Sequence, residues 1–329
     1  MPRSHLTRRA LLASAGTAAV ALSGCHRSSQ RTVGMVPKGS SNLFWQTVHA
    51  GALKAAREFK FNLEWNAPSL ETDSSRQVEI VESMINRRLA GLILAPVDRK
   101  ALAGVVDKAA VQNVPTVIFD SAIDSDKMIS YVATDNLAGG RLAARRLGEV
   151  LAGKGKVAIL GFMLGSASTM EREQGFQQEL AKSFPGIAMV DLRFSNSDRS
   201  VAMALAENIM TAHPDLGGFF ADNEGSSTGA ARALKSRNAK HIKLVAFDTT
   251  PQLIDDLRTG WLDSIVVQAP FAMGYKAAEA MGLHLQGKKP LAHIDSGVRL
   301  IRSSDLEAPD VKELLNPDLK PYLGNRGAA

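Results

Sequence analysis

The feature that most narrows the fold is an alternation. Short apolar, β-branched runs are separated by longer segments whose apolar residues recur at helical spacing. Strands are predicted at 32–36, 62–65, 91–95, 116–119 and 130–133, with helices over 44–59, 74–88 and 101–112. The run Gly-Leu-Ile-Leu-Ala at 91–95 offers no polar face, as suits a strand covered on both sides by helices. Strands joined by helices build a parallel sheet. The rhythm then restarts, with strands at 156–160, 189–193, 217–221 and 244–247 and helices over 171–184, 201–212 and 225–235. One sheet holding all these strands would be unusually wide, so the chain is expected to be α/β, with two doubly wound parallel-sheet domains.

Ligands of such sheets sit beyond the carboxyl ends of the strands. The polar and aromatic residues found there are Asn42, Phe44 and Trp45 after the first strand, Asp120 after the fourth and Asp248 after the strand ending at Phe247, joined from the second half by Arg172, Asn223 and Gln268. Carboxylates, amides and a guanidinium can each engage two neighbouring hydroxyls, and charge-assisted hydrogen bonds are the stronger ones. Aromatic rings cover apolar C–H faces. That combination suits a sugar or polyol.

Eight segments, in order, carry a family resemblance. They are Ser41-Asn42-Leu43-Phe44-Trp45, Leu94-Ala95-Pro96-Val97-Asp98, Val117-Ile118-Phe119-Asp120, Ala133-Thr134-Asp135-Asn136 with Gly139-Gly140, Glu171-Arg172-Glu173-Gln174-Gly175-Phe176, Phe220-Ala221-Asp222-Asn223-Glu224, Val245-Ala246-Phe247-Asp248-Thr249-Thr250-Pro251 and Val267-Gln268-Ala269-Pro270. Over essentially the whole mature chain, the sequence resembles the ribose-type periplasmic sugar-binding proteins of ABC transporters, members of the type I periplasmic binding protein family. The resemblance implies that the eight residues named above contact a ligand. Asp120 and Asp248 would accept from hydroxyls, Arg172 and the amides would bridge neighbouring ones, and Phe44 and Trp45 would form an apolar wall. It also implies a three-segment hinge, near Thr134–Asp135, Gln268–Ala269 and Val298–Leu300. The lobes would then comprise 32–134 plus 269–299 and 135–268 plus 300–308, followed by a tail over 309–329. Three positions depart from the ribose pattern: Ala95 replaces an Asn, Ser121 an Arg and Ser197 an aromatic. Lost hydrogen bonds to charged groups are worth about 1.5–3 kcal/mol each, so a different monosaccharide or polyol is expected.

Other candidates have plainer readings. Ser41 and Thr134 suit helix caps, and Trp65 and Trp261 suit packing positions. The Gly- and Ser-rich stretch 161–168 lacks the lysine of a phosphate loop and reads as a turn. The histidines show no metal spacing and no nucleophile–base set stands out, so neither a metal, a cofactor nor an enzymatic activity is expected. The segment after Leu306 is expected to form one short helix.

The N-terminus carries Arg3, Arg8 and Arg9 before an uncharged run from Ala10 to Ser23, the pattern of an export signal over 1–24. The run is too short to span a bilayer. Thr7 to Leu12 resembles a twin-arginine signal, and Leu22-Ser23-Gly24-Cys25 resembles a lipobox, which implies that Cys25, the only cysteine, is lipidated. A polar linker over 25–31 would follow. Removing the three signal arginines leaves 36 basic against 33 acidic side chains, a dispersed +3 that gives no footprint for nucleic acid. The expected partners are therefore a sugar or polyol, an ABC permease and, through the lipid, a membrane surface, with the protein itself a monomer in the periplasm or at the cell surface. Two alternatives share the same core: an exported sensor presenting its ligand to a chemoreceptor or sensor kinase, and a lac-repressor-type regulator, which would need a DNA-reading helix pair where the export signal stands.

Overall fold

The computed structural model describes residues 31–324; the export signal, the lipobox and Cys25 lie outside the described residues. The first sheet is built from β1 (Thr32–Val36), β2 (Asn62–Trp65), β3 (Gly91–Leu94), β4 (Thr116–Phe119), β5 (Ser130–Ala133) and β11 (His293–Asp295), in the order β11-β5-β4-β3-β1-β2 with every pairing parallel. The second contains β6 (Gly155–Gly161), β7 (Ile187–Phe194), β8 (Leu216–Ala221), β9 (Lys243–Phe247), β10 (Ser264–Gln268) and β12 (Val298–Arg302), in the order β12-β10-β9-β8-β6-β7. It repeats the first strand for strand, except that β12 runs antiparallel to β10.

Every residue of β3 and β4 is buried, as the apolar character of all but Thr116 requires. In the first lobe the covering helices are α1 (Leu43–Phe59), α2 (Ser74–Asn86), α3 (Ala103–Val111) and α9 (Pro270–Leu285). In the second they are α4 (Asn136–Val150), α5 (Ala167–Ser183), α6 (Arg199–Ala212), α7 (Glu224–Ser236) and α8 (Pro251–Arg258). Two apolar clusters flank each sheet, centred on Trp45, Ile93 and Phe119, on Leu94 and Ile118, on Phe219 and Leu244, and on Phe176, Phe220 and Phe247. Each lobe also has one very close helix pair. A Cβ at Gly51 of α1 would lie 2.0 Å from the Phe271 carbonyl oxygen of α9, and one at Gly140 of α4 would lie 2.0 Å from that of Arg172 in α5.

The chain passes between the sheets three times: from β5 to α4 through Thr134 and Asp135, from β10 to α9 at Ala269, and from β11 to β12 through Ser296 and Gly297. The last passage lies ahead of the expected 298–300, because Val298 already pairs with Gln268 inside the second sheet. Thr134 does not cap a helix. Asp135 does, accepting from the Ala138 N–H at 2.8 Å, while the buried Thr134 hydroxyl donates to Gln268 Oε1 at 2.9 Å. Nor does Ser41 cap α1: Asn42 holds the N-cap position and makes no side-chain cap bond.

The tail forms two helices where one was expected, α10 (Pro309–Leu315) and α11 (Lys320–Leu323), with Pro317 in the connection, where it disfavours continued helix. Val311 and Leu315 of α10 are buried in the second lobe's core, whereas α11 reaches the first lobe, where the Pro321 carbonyl accepts from Arg57 Nη1 at 2.8 Å. Among the described residues no helix is long and apolar enough to cross a membrane.

Candidate functional site

The carboxyl ends of the two sheets face each other. From the first lobe come Lys38 after β1, Asn42, Phe44 and Trp45 at the start of α1, Glu71 between β2 and α2, and Asp120 immediately after β4. From the second come Phe162 after β6, Ser168, Thr169 and Arg172 on α5, Asn223 and Glu224 where α7 begins, Asp248 after β9 and Gln268 at the end of β10. These residues line one cavity between the two sheets.

All eight residues singled out from the sequence therefore meet in this cavity. Asp120 and Asp248 are oriented alike. Both follow the fourth-laid strand of their sheet in the left-handed region, with φ of 63° and 65°, and each donates its N–H to the next strand, to Val132 at 2.9 Å and Val266 at 3.0 Å. Asp and Asn tolerate that conformation better than most residues do. Asp248 Oδ1 accepts from Gln268 Nε2 at 2.8 Å, and its Oδ2 lies 3.8 Å from Arg172 Nη1. Asp120 Oδ2 forms an ion pair with Lys38 Nζ at 2.8 Å, and its second lone pair can still accept a hydrogen bond.

Arg172 is held on three sides. Nε donates to Asn136 Oδ1 at 2.9 Å, Nη1 donates to the Asp222 carbonyl at 2.8 Å, and the guanidinium lies 3.8 Å over the Phe247 ring. Asn223 caps α7, accepting from the Ser226 N–H at 3.0 Å, while its Nδ2 donates to Ser197 Oγ at 3.0 Å. Ser197, which stands where the resemblance leads one to expect a ring, thus serves to orient an amide. Phe44 and Trp45 stand edge to face with centroids 4.8 Å apart. Glu71 fastens this wall, accepting from Asn42 Nδ2 at 3.1 Å and from the Trp45 indole N–H.

The cavity is rich in carboxylates, and burial shifts them. Burial pushes Glu224 up to about 7, the Asp248 charge adding to the rise and Arg199 opposing it. Asp248 is likewise raised by burial, with Arg172 and Gln268 pulling it back. Behind Arg172, burial raises Glu173 to about 7 and pushes Asp222 up as well, the Glu173 charge adding to the latter. Glu173 Oε1 and Asp222 Oδ1 are both buried without a donor among the described residues, the arrangement expected of two carboxyls that share a proton.

Sequence reasoning missed Lys38, Glu71, Phe162, Ser168, Thr169 and Glu224. Phe162 directly follows β6 and Lys38 stands two residues after β1, so the strand-end rule that found Asp120 could have found both. Phe162 and Ser168 belong to the 161–168 stretch read as a turn and Thr169 follows it; a turn does stand at 164–165, and around it this stretch and the start of α5 bring a third ring and two hydroxyls to the cavity. Glu71 carries no such signal, since it lies in a connection and only the folding of that loop against Trp45 and Asn42 brings it in. Trp65 and Trp261 stay outside the site, Trp65 stacked on His49 at 4.1 Å.

The lobes touch around the cavity. Ser168 N–H donates to Ser121 Oγ at 3.0 Å, Arg99 N–H to the Gly165 carbonyl at 3.0 Å, and Phe44 N–H reaches Glu224 Oε2 at 3.5 Å. A family model described as a periplasmic binding protein domain matches residues 33–289. The ribose import binding protein RbsB of Bacillus subtilis is 29% identical over 269 residues, covering 82% of this chain and 86% of the relative. Among solved structures, a carbohydrate transporter solute binding protein from Agrobacterium radiobacter in complex with D-arabinose superposes with a TM-score of 0.85 at 28% identity, over 88% of this chain and 99% of that one. An ABC transporter solute binding protein from Agrobacterium vitis, bound with α-D-tagatopyranose, gives 0.84 at 29% identity, over 87% and 99%. A match running through both sheets, on a fold of this likeness, means that the chain belongs to the periplasmic binding protein domain family and has its type I two-sheet architecture.

Proposed function

We propose that this protein is the substrate-binding lipoprotein of an ABC-type importer, capturing one monosaccharide or related polyol between its lobes and delivering it to a membrane permease. One observation carries this reading: carboxylates, amides and a guanidinium from both lobes converge with three aromatic rings on a single cavity. Asp120 and Asp248 accept from the ligand's hydroxyls, Arg172, Asn42, Asn223 and Gln268 bridge neighbouring ones, and Phe44, Trp45 and Phe162 cover its C–H faces. The sugars named in the two Agrobacterium complexes fit that chemistry. Ribose fits less well, because Ala95, Ser121 and Ser197 cannot supply what an Asn, an Arg and a ring would.

Contacts from both lobes are complete only when the lobes are together, so binding shifts the population toward the closed form. Three short crossings, at 134–135, 269 and 296–297, are the segments about which such closure turns. Cys25 anchors the exported chain through lipid. Calorimetry against pentoses, hexoses and polyols tests the reading: binding of one compound per chain, accompanied by a change in Trp45 fluorescence, is expected, and a complete blank across the panel overturns it. Cys25→Ser should shift the protein from the membrane to the soluble fraction.

A further inference from the structure

We infer that Lys38 is a positioning residue that latches the two lobes together with or without a ligand, while it holds Asp120 in place. Lys38 is 4% exposed, which is uncommon for a lysine and demands partners. Its ammonium donates to Ser166 Oγ at 3.2 Å and Ser168 Oγ at 3.0 Å, and both serines lie on the opposite lobe where α5 begins. The same nitrogen sits 2.8 Å from Asp120 Oδ2 on its own lobe.

The serines are committed to this role. Ser166 holds the N-cap position of α5 yet makes no side-chain cap bond, its hydroxyl being turned to Lys38 instead. Ser168 completes a ring through its N–H, which donates to Ser121 Oγ at 3.0 Å. A cation at a helix N-terminus opposes the helix dipole, so the Asp120 carboxylate is what makes the position tenable. An arginine at residue 121 would put a second cation beside Asp120; with Ser121 fully buried against Ser168, Lys38 is the cation that serves Asp120 here. All groups in the latch belong to the protein. Separating the lobes costs Lys38 both serine partners, which biases the empty protein toward closure and raises apparent affinity by the factor by which the closed form is enriched.

The affinity part of this inference rests on the proposed ligand site; the latch itself does not. The test uses the full chain with Cys25→Ser, spin-labelled at Val111→Cys on α3 and Val201→Cys on α6, exposed positions on opposite lobes. Pulsed dipolar spectroscopy without sugar should show a short-distance population, and Ser166→Ala/Ser168→Ala should reduce its ratio to the long-distance population at least threefold. Affinity for the sugar found by calorimetry should fall by the factor by which the closed fraction of the empty protein falls. Lys38→Met should lose more affinity than the serine pair, because it also strands Asp120. An empty protein that is wholly open, or a distance distribution unmoved by the serine changes, overturns the latch even if sugar binds. A distribution that shifts in a protein binding no sugar upholds the latch and counts against the transport reading instead.

Discussion

Asp120 and Asp248 occupy the same place in two separately folded sheets, each the residue that leaves the fourth-laid strand, with φ of 63° and 65° respectively. Both turn a carboxylate into the shared cavity from opposite sides. The repeated backbone geometry makes the choice of substitution matter, because side-chain chemistry and backbone tolerance are tested together at these positions.

Asp248→Asn and Asp120→Asn keep a residue that tolerates the left-handed region and remove only the charge. Sugar affinity should fall about 10- to 100-fold by calorimetry, as expected for one hydrogen bond to a charged group; the melting temperature should change little for Asp248→Asn and fall for Asp120→Asn, which leaves the buried Lys38 ammonium without its counter-ion. The alanine variants should lose about 1 kcal/mol of stability in addition, since alanine is strained at positive φ.

Gly140→Ala should couple packing to binding. Its Cβ would collide with the Arg172 carbonyl at 2.0 Å, forcing α5 outward and carrying the Arg172 side chain with it. Gly51→Ala strains the matching pair in the other lobe against Phe271. Each change should cost roughly 1–3 kcal/mol or more in denaturant titrations. The loss of affinity should be larger for Gly140→Ala, because only α5 carries a guanidinium of the site.

Stability should fall as pH rises from 5 to 8. Burial raises Glu173 and Glu224 from 4.5 to about 7, so between those values the folded protein holds protons that the unfolded chain has released. Each such group therefore lowers stability across this window by on the order of 2 kcal/mol, and together they outweigh His49, whose imidazole burial lowers to about 4 and which favours higher pH up to about 6.5. Carboxylates that are lowered, such as Glu179 beside Arg145, act below pH 4.5 and leave the window unaffected. Melting temperatures recorded from pH 5 to 8 should show the decline, and Glu173→Gln should flatten it; a rising profile contradicts the shared-proton reading of Glu173 and Asp222.

Glu71→Ala should loosen the aromatic wall without unfolding the lobe. It frees the Trp45 indole N–H and Asn42 Nδ2 from their common acceptor. The expected outcome is a several-fold weaker affinity and a changed Trp45 emission in the empty protein. Glu71→Gln, which retains one acceptor oxygen, should recover part of both.

The local code was enough to determine the two doubly wound sheets, because apolar strands such as Gly91–Leu94 and intervening helices are written as periodicity, and periodicity is a property of consecutive residues. It also marked the residues that leave strand ends, hence Asp120, Asp248 and Gln268. The antiparallel β12, the two-helix tail reaching both lobes, and the entry of Glu71 and Ser168 into the cavity were decided by tertiary structure. Each depends on groups far apart in the chain, as the sequence separation of 128 between Lys38 and Ser166 shows. No local pattern specifies such a meeting, since it exists only once the two sheets turn their carboxyl ends toward one another.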